Sequence, residues 1–72
     1  MQTTYFKITI HFRDGSAEEI VRRYFTMHRE EIGAIALTNA QWKYGYHKIY
    51  KVDAWQLAET DPEVIEYKRK WL

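Results

Sequence analysis

Tyr5-Phe6-Lys7-Ile8-Thr9-Ile10-His11-Phe12-Arg13-Asp14-Gly15 is the stretch that decides the fold. From Tyr5 to Arg13 apolar and polar residues alternate without a break. Phe6, Ile8, Ile10 and Phe12 fall on one side, and Tyr5, Lys7, Thr9, His11 and Arg13 on the other, which is the period of a β-strand. Asp14-Gly15 follows at once, a dipeptide suited to a tight hairpin because both central positions of such a turn need positive φ. A two-residue turn there sets Arg13 opposite Ser16, Ile10 opposite Glu19, Ile8 opposite Val21 and Thr4 opposite Phe25. Val21 and Phe25 then join the apolar side of the first strand, together with Glu19 and Arg23, which must reach its edge or pair.

Residues 17–26 also admit a helical reading. Ser16-Ala17-Glu18-Glu19 has the form of a capping box, and Val21, Tyr24, Phe25, His28, Ile32 and Ile35 recur at helical spacing. The strand is preferred, because Ile20-Val21 and Tyr24-Phe25-Thr26 are β-favouring and the first strand needs a neighbour. A helix then starts near Thr26 or Met27, with Thr26 as N-cap and Glu30 and Glu31 near the positive end of its dipole. Its inner side is Ile32, Ile35 and Ala36, with Met27 or His28 one turn earlier. Asn39 to Gly45 reads as a connection, and His47 to Leu57 as a third strand whose imperfect alternation implies a bulge or burial on both faces. Thr60-Asp61-Pro62-Glu63 opens a last helix, with Thr60 as N-cap, Pro62 in the first turn and Glu63 at the capping-box position. Val64, Ile65, Tyr67, Lys68, Trp71 and Leu72 form its inner stripe. The expected architecture is a single α+β domain over residues 1–72, in the order β-β-α-β-α, with a three-stranded sheet packed against two helices.

Seventy-two residues can bury only a small core, and chains of this size often lean on a staple. The chain has no cysteine, so disulfides and thiolate zinc sites are excluded, and His11, His28 and His47 share no ligand-like spacing. Packing by its abundant aromatics (17%) or dimerisation through a sheet edge or helix remains. Eleven basic and ten acidic residues leave a net charge of +1, so no global field points to nucleic acid or an anionic membrane. No apolar run approaches the roughly 20 residues that span a bilayer. Met1-Gln2-Thr3-Thr4 has no basic start leading into an apolar segment, so a cytoplasmic protein is expected.

Catalytic and cofactor motifs are not found. Gly15, Gly33 and Gly45 are isolated and form no phosphate loop, and Ser16, the one serine, sits in a turn. His28 and Glu31, one helical turn apart, read as a solvated first turn, and His11 opposite Glu18 as a cross-strand polar pair. No catalytic residue, metal ligand or cofactor is assigned.

Trp42-Lys43-Tyr44-Gly45-Tyr46-His47-Lys48-Ile49-Tyr50-Lys51 departs from the mean composition, with four large amphipathic aromatics, three lysines and no acid. Tyr and Trp dominate protein interfaces, and the same aromatics interleaved with lysine suit single-stranded nucleic acid. About half of these side chains must point inward. Lys43, Tyr44, Tyr46, Lys48 and Tyr50 remain as the candidate binding surface, with Arg22 and Arg23 of the second strand able to widen it. Small, cysteine-free, aromatic-rich chains of this kind are similar to accessory proteins of phages and mobile elements that occlude a host protein's surface. That resemblance, which no motif carries, implies a stoichiometric protein binder rather than an enzyme, with nucleic acid as the alternative partner.

Overall fold

A computed structural model describes residues 3–25 and 29–71, with only the backbone given for Arg29. The order β-β-α-β-α holds. The strands are β1 (Thr3–Phe12), β2 (Ala17–Phe25) and β3 (Ile49–Leu57), and the helices are α1 (Ile32–Tyr44) and α2 (Pro62–Trp71). Short 3₁₀ turns at Arg29–Glu31 and Tyr46–Lys48 flank α1. The sheet order is β2-β1-β3, and β1 pairs antiparallel with both neighbours. Thus β2 and β3 run parallel to each other, joined by α1 across β1 as a split β-α-β unit.

The central place of β1 explains why its polar side is not a solvent face: Tyr5 and Thr9 are buried, and Lys7 and His11 are half-buried. Phe6, Ile8 and Ile10 face α1 and form the larger core with Ile32, Ala36, Ala40 and Ile49. On the other face Tyr5 packs with Leu57 and Val64 of α2, joined by Val21 and Tyr67. The Tyr5 and Tyr67 rings meet edge to face at 6.0 Å. The two helices therefore cover opposite faces of one thin sheet. Among the described residues, Ile8, Ile32 and Val64 are the largest side chains withdrawn from water.

The hairpin is one residue longer than the two-residue turn expected. Phe12 donates its N–H to the Ser16 carbonyl at 2.9 Å, and Gly15 donates to the Phe12 carbonyl at 3.1 Å. Arg13, Asp14 and Gly15 thus form a three-residue loop, and Gly15 takes the positive φ of 93° that such loops need at the last position. Asp14 accepts from the Ser16 amide at 2.9 Å and the Ser16 hydroxyl at 2.6 Å, which holds its carboxyl below the usual range. The register moves by one, to Ile8↔Ile20, Ile10↔Glu18 and Thr4↔Tyr24. A one-residue slip exchanges the faces of a strand. Ile20 and Tyr24 therefore join the α1 core, while Val21 turns to α2.

Three other boundaries differ from expectation. α1 continues through Asn39 to Tyr44 and stops at Gly45, whose φ is 99° and whose N–H bonds to the Gln41 carbonyl at 3.0 Å. β3 starts at Ile49, after the 3₁₀ turn that takes His47 and Lys48, and its pairing with β1 shifts between His11 and Phe12, as the irregular alternation implied. The cap of α2 is Asp61 rather than Thr60: its carboxylate accepts the Glu63 amide at 2.9 Å, with Pro62 as first helical residue. Within the α2 stripe, Val64 is buried and Ile65 and Trp71 are exposed. The proposed N-cap Thr26, with Met27, His28 and Leu72, lies outside the described residues.

Candidate functional site

The stretch from Trp42 to Lys51 spans the last turn of α1, the 3₁₀ turn and the start of β3. Gly45 makes the reversal possible, because its positive φ lies where a side chain on Cβ is strained. Lys48 donates its amide to the Gly45 carbonyl at 3.1 Å, and the Lys48 carbonyl in turn accepts the Arg13 amide at 2.9 Å. The turn is thereby fastened to the tip of the β1-β2 hairpin. One end of the molecule gathers the C-terminus of α1, the 3₁₀ turn, the first residues of β3 and Arg13.

Within this frame the aromatics divide sharply. Ile49 is buried in the larger core, whereas Trp42 is 86%, Tyr46 74% and Tyr50 66% exposed. Tyr44 is not part of the free surface. Its ring stands edge to face on Phe12, 5.0 Å between centroids, and its hydroxyl donates to the Glu18 carboxylate. Lys43 Nζ lies 5.1 Å from the Tyr44 ring centre on the outer side, so the lysine caps the aromatic while remaining in water. Lys48 and Lys51 are exposed, and Lys51 stands 3.7 Å from Asp53.

Arg22 and Arg23 separate. Arg22 lines a small cleft between α1 and β2 together with Lys43 and Tyr24, so it does extend the basic side of this end of the molecule. Burial in that neighbourhood pushes the Tyr24 hydroxyl above its ordinary pKa. Arg23 points to the opposite face, its guanidinium 5.0 Å above the Phe25 ring. Trp42 joins the exposed surface because α1 runs past Asn39 to Tyr44, where the sequence suggests a connection from Asn39. With α1 carried through, the spacing reveals it: Ala36 and Ala40 face the sheet, and Trp42 is about 200° further round. No charged residue occurs from Ile32 to Trp42, and Ile35 shares the outer side with Trp42, Thr38 and Asn39, which leaves α1 uncharged on both faces.

The α2 face of the sheet carries the ionic pairs. Lys7 Nζ meets both carboxylate oxygens of Glu63 at 3.0 Å and Glu19 at 3.6 Å, and the Glu63 bond above all raises its pKa. His11 is opposite Ala17, not Glu18, and its Nε2 is 3.0 Å from Asp53 on β3. Glu18 projects to the other face, so the two cannot share a ligand. Among the described residues no group of three or more histidine and acidic side chains could hold a metal ion, and no described helix is long and apolar enough to cross a membrane. The His11–Asp53 pair has the geometry of an acid–base couple, yet no hydroxyl is hydrogen-bonded to it among the described residues. The buried Thr9 hydroxyl, from the adjacent position on that face, has no partner. No protein-family model, curated protein or solved structure matches this chain.

Proposed function

We propose that this chain is a non-enzymatic protein-interaction module that grips its partner with Trp42, Lys43, Tyr46, Lys48 and Tyr50. The observation that carries the reading is the exposure of three large amphipathic aromatics within nine consecutive residues, on the end of α1, the following turn and the start of β3, with that turn braced by a main-chain bond to the β1-β2 hairpin. Rigidly held Trp and Tyr give large contact area at little ordering cost, the property that makes them interface anchors. Lys43, Lys48 and Arg13 rim these anchors with positive charge, so the fitting partner is a protein surface with an apolar centre and an acidic margin. In cellular terms the proposal is a cytoplasmic accessory protein, of the kind phages and mobile elements carry, that covers a host protein's surface stoichiometrically.

The test is affinity purification from the native cell with the wild-type chain and with Trp42→Ala/Tyr46→Ala. Proteins retained by the wild type should be lost with the double variant, whose thermal midpoint should remain within a few degrees of wild type because both side chains lie in water. A partner retained equally by both would refute the surface. The same exposed aromatics and lysines favour a second reading, stacking on single-stranded nucleic acid. It requires binding of a generic oligonucleotide that weakens steeply as salt is raised, with Trp42 and Tyr46 as stacking residues.

A further inference from the structure

β2 lies at one edge of the sheet, and its sequence is acidic before its centre and basic after it: Ala17-Glu18-Glu19-Ile20-Val21-Arg22-Arg23-Tyr24-Phe25. We propose that two copies of this chain pair antiparallel through β2, with the two-fold axis at Val21, to form a continuous six-stranded sheet. The geometry follows from the hydrogen-bond parity. Phe12 and Ser16 form a bonded pair, so in an antiparallel ladder Ile10/Glu18, Ile8/Ile20 and Phe6/Arg22 are also bonded pairs. The N–H and C=O groups of Ala17, Glu19, Val21, Arg23 and Phe25 therefore point away from β1, to the open edge. Complete overlap of two nine-residue strands puts Val21 opposite Val21 of the second copy, and this register joins outward-pointing residues to outward-pointing residues throughout. It also sets Glu19 opposite Arg23 of the second copy, twice by symmetry, and Glu18 diagonal to Arg22 of the second copy.

The other edge does not offer this. β3 also has nine residues, and its complete overlap would set Asp53 against Asp53, a like-charge pair. Neither Arg22 nor Arg23 has a carboxylate partner among the described residues, and Arg23 rests only over the Phe25 ring. A groove of about 550 Å³ runs along the same edge between β2 and α2, lined by Val21, Arg22, Glu66, Tyr67, Lys70 and Trp71, with Trp71 69% exposed. An axis perpendicular to the sheet at Val21 brings both grooves to the seam on one face, so that each α2 shields the new strand pair. Long unpaired edges are otherwise sites of uncontrolled association, and a self-complementary edge closes itself.

Sedimentation equilibrium of the full chain, from about 1 µM to about 1 mM, tests the inference. The wild type should show twice the 8.8 kDa chain mass at the upper concentrations. Glu19→Arg makes positions 19 and 23 both basic, and Arg23→Glu makes both acidic, so each variant alone should dissociate at least about tenfold more readily. An equimolar mixture of the two variants should form a heterodimer at least as tight as the wild-type dimer, since both symmetric pairs become complementary. That recovery also establishes that each variant folds. A wild-type monomer at every concentration, a dimer that neither reversal weakens, or a mixture that fails to associate would each overturn the proposal.

Discussion

Tyr44 and Trp42 stand two residues apart in one aromatic stretch and have opposite fates, decided by helix phase alone. In α1 the buried positions are Ile32, Ala36 and Ala40, which makes Tyr44 the next member of the same stripe and sends Trp42 outward. Composition marked the stretch as unusual but could not assign its members, because the assignment depended on whether the helix continued past Asn39. Asn is a common helix terminator, yet here the preceding Thr38 bonds back to the Ala34 carbonyl at 3.0 Å and the helix runs on to the glycine. Replacement of Tyr44 by Ala should cost about 2–3 kcal/mol, from the lost contact with Phe12 and the carboxylate of Glu18 left without its donor. For a chain of this length that lowers the thermal midpoint by roughly 10–20 °C. Tyr44→Phe, which keeps the ring and removes only the hydroxyl, should cost about 1 kcal/mol. Calorimetry of these variants beside Tyr46→Ala, expected within about 0.5 kcal/mol of wild type, separates the brace from the surface. Equal losses at 44 and 46 would contradict this division.

At the scale of elements, the local patterns were legible and their exact phasing was not. The alternation in β1, the presence of a hairpin, a helix between the second and third strands and the Pro62-Glu63 start of α2 all follow from side-chain period and turn chemistry. The β1-β2 register does not, because Asp14-Gly15 serves equally a two-residue turn and a three-residue loop ending in Gly15, and the choice shifts every partner by one. The better packing decides: the observed register puts Ile20 and Tyr24 over the α1 core, with Tyr24 edge to face on Phe6 at 5.8 Å, and frees Val21 for α2. The polar side of β1 misled for a related reason. Tyr5 and Thr9 look like a solvent face, but α2 covers Tyr5, and the central position of β1 gives Thr9 neighbours on both sides. Alternation in one strand does not reveal its place in the sheet. For α2 the cap was legible to within one residue, since Thr60 and Asp61 can both accept an amide. The observed Asp61–Glu63 bond predicts that Asp61→Ala lowers stability by about 1 kcal/mol, with Thr60→Ala near neutral in chemical denaturation. The reverse order would place the cap at Thr60.

At the scale of the molecule, a single thin sheet with one helix on each face splits a small hydrophobic inventory into two clusters, leaving two sheet edges and the outer side of α1 open. Pairing through β2 would use one of those edges and, because its axis is perpendicular to the sheet, would set both α1 helices on the same face of the six-stranded assembly. The two aromatic surfaces around Trp42 would then look in one direction from a rigid platform. A dimer of that form holds a target displaying two copies of its epitope more tightly than one displaying a single copy, since the second contact is made at high effective concentration. Surface-plasmon measurements should therefore show the wild-type chain favouring a densely immobilised partner over a sparse one by about 10²-fold or more. Arg23→Glu, whose substitution lies at the seam and on the face away from the cleft shared by Arg22 and Lys43, should lose that excess and keep the affinity for the sparse partner. Trp42→Ala should lose both affinities while the dimer survives in sedimentation. The two variants thus separate the two surfaces: if Arg23→Glu weakened sparse and dense binding alike, the edge of β2 would itself be the place where the partner binds.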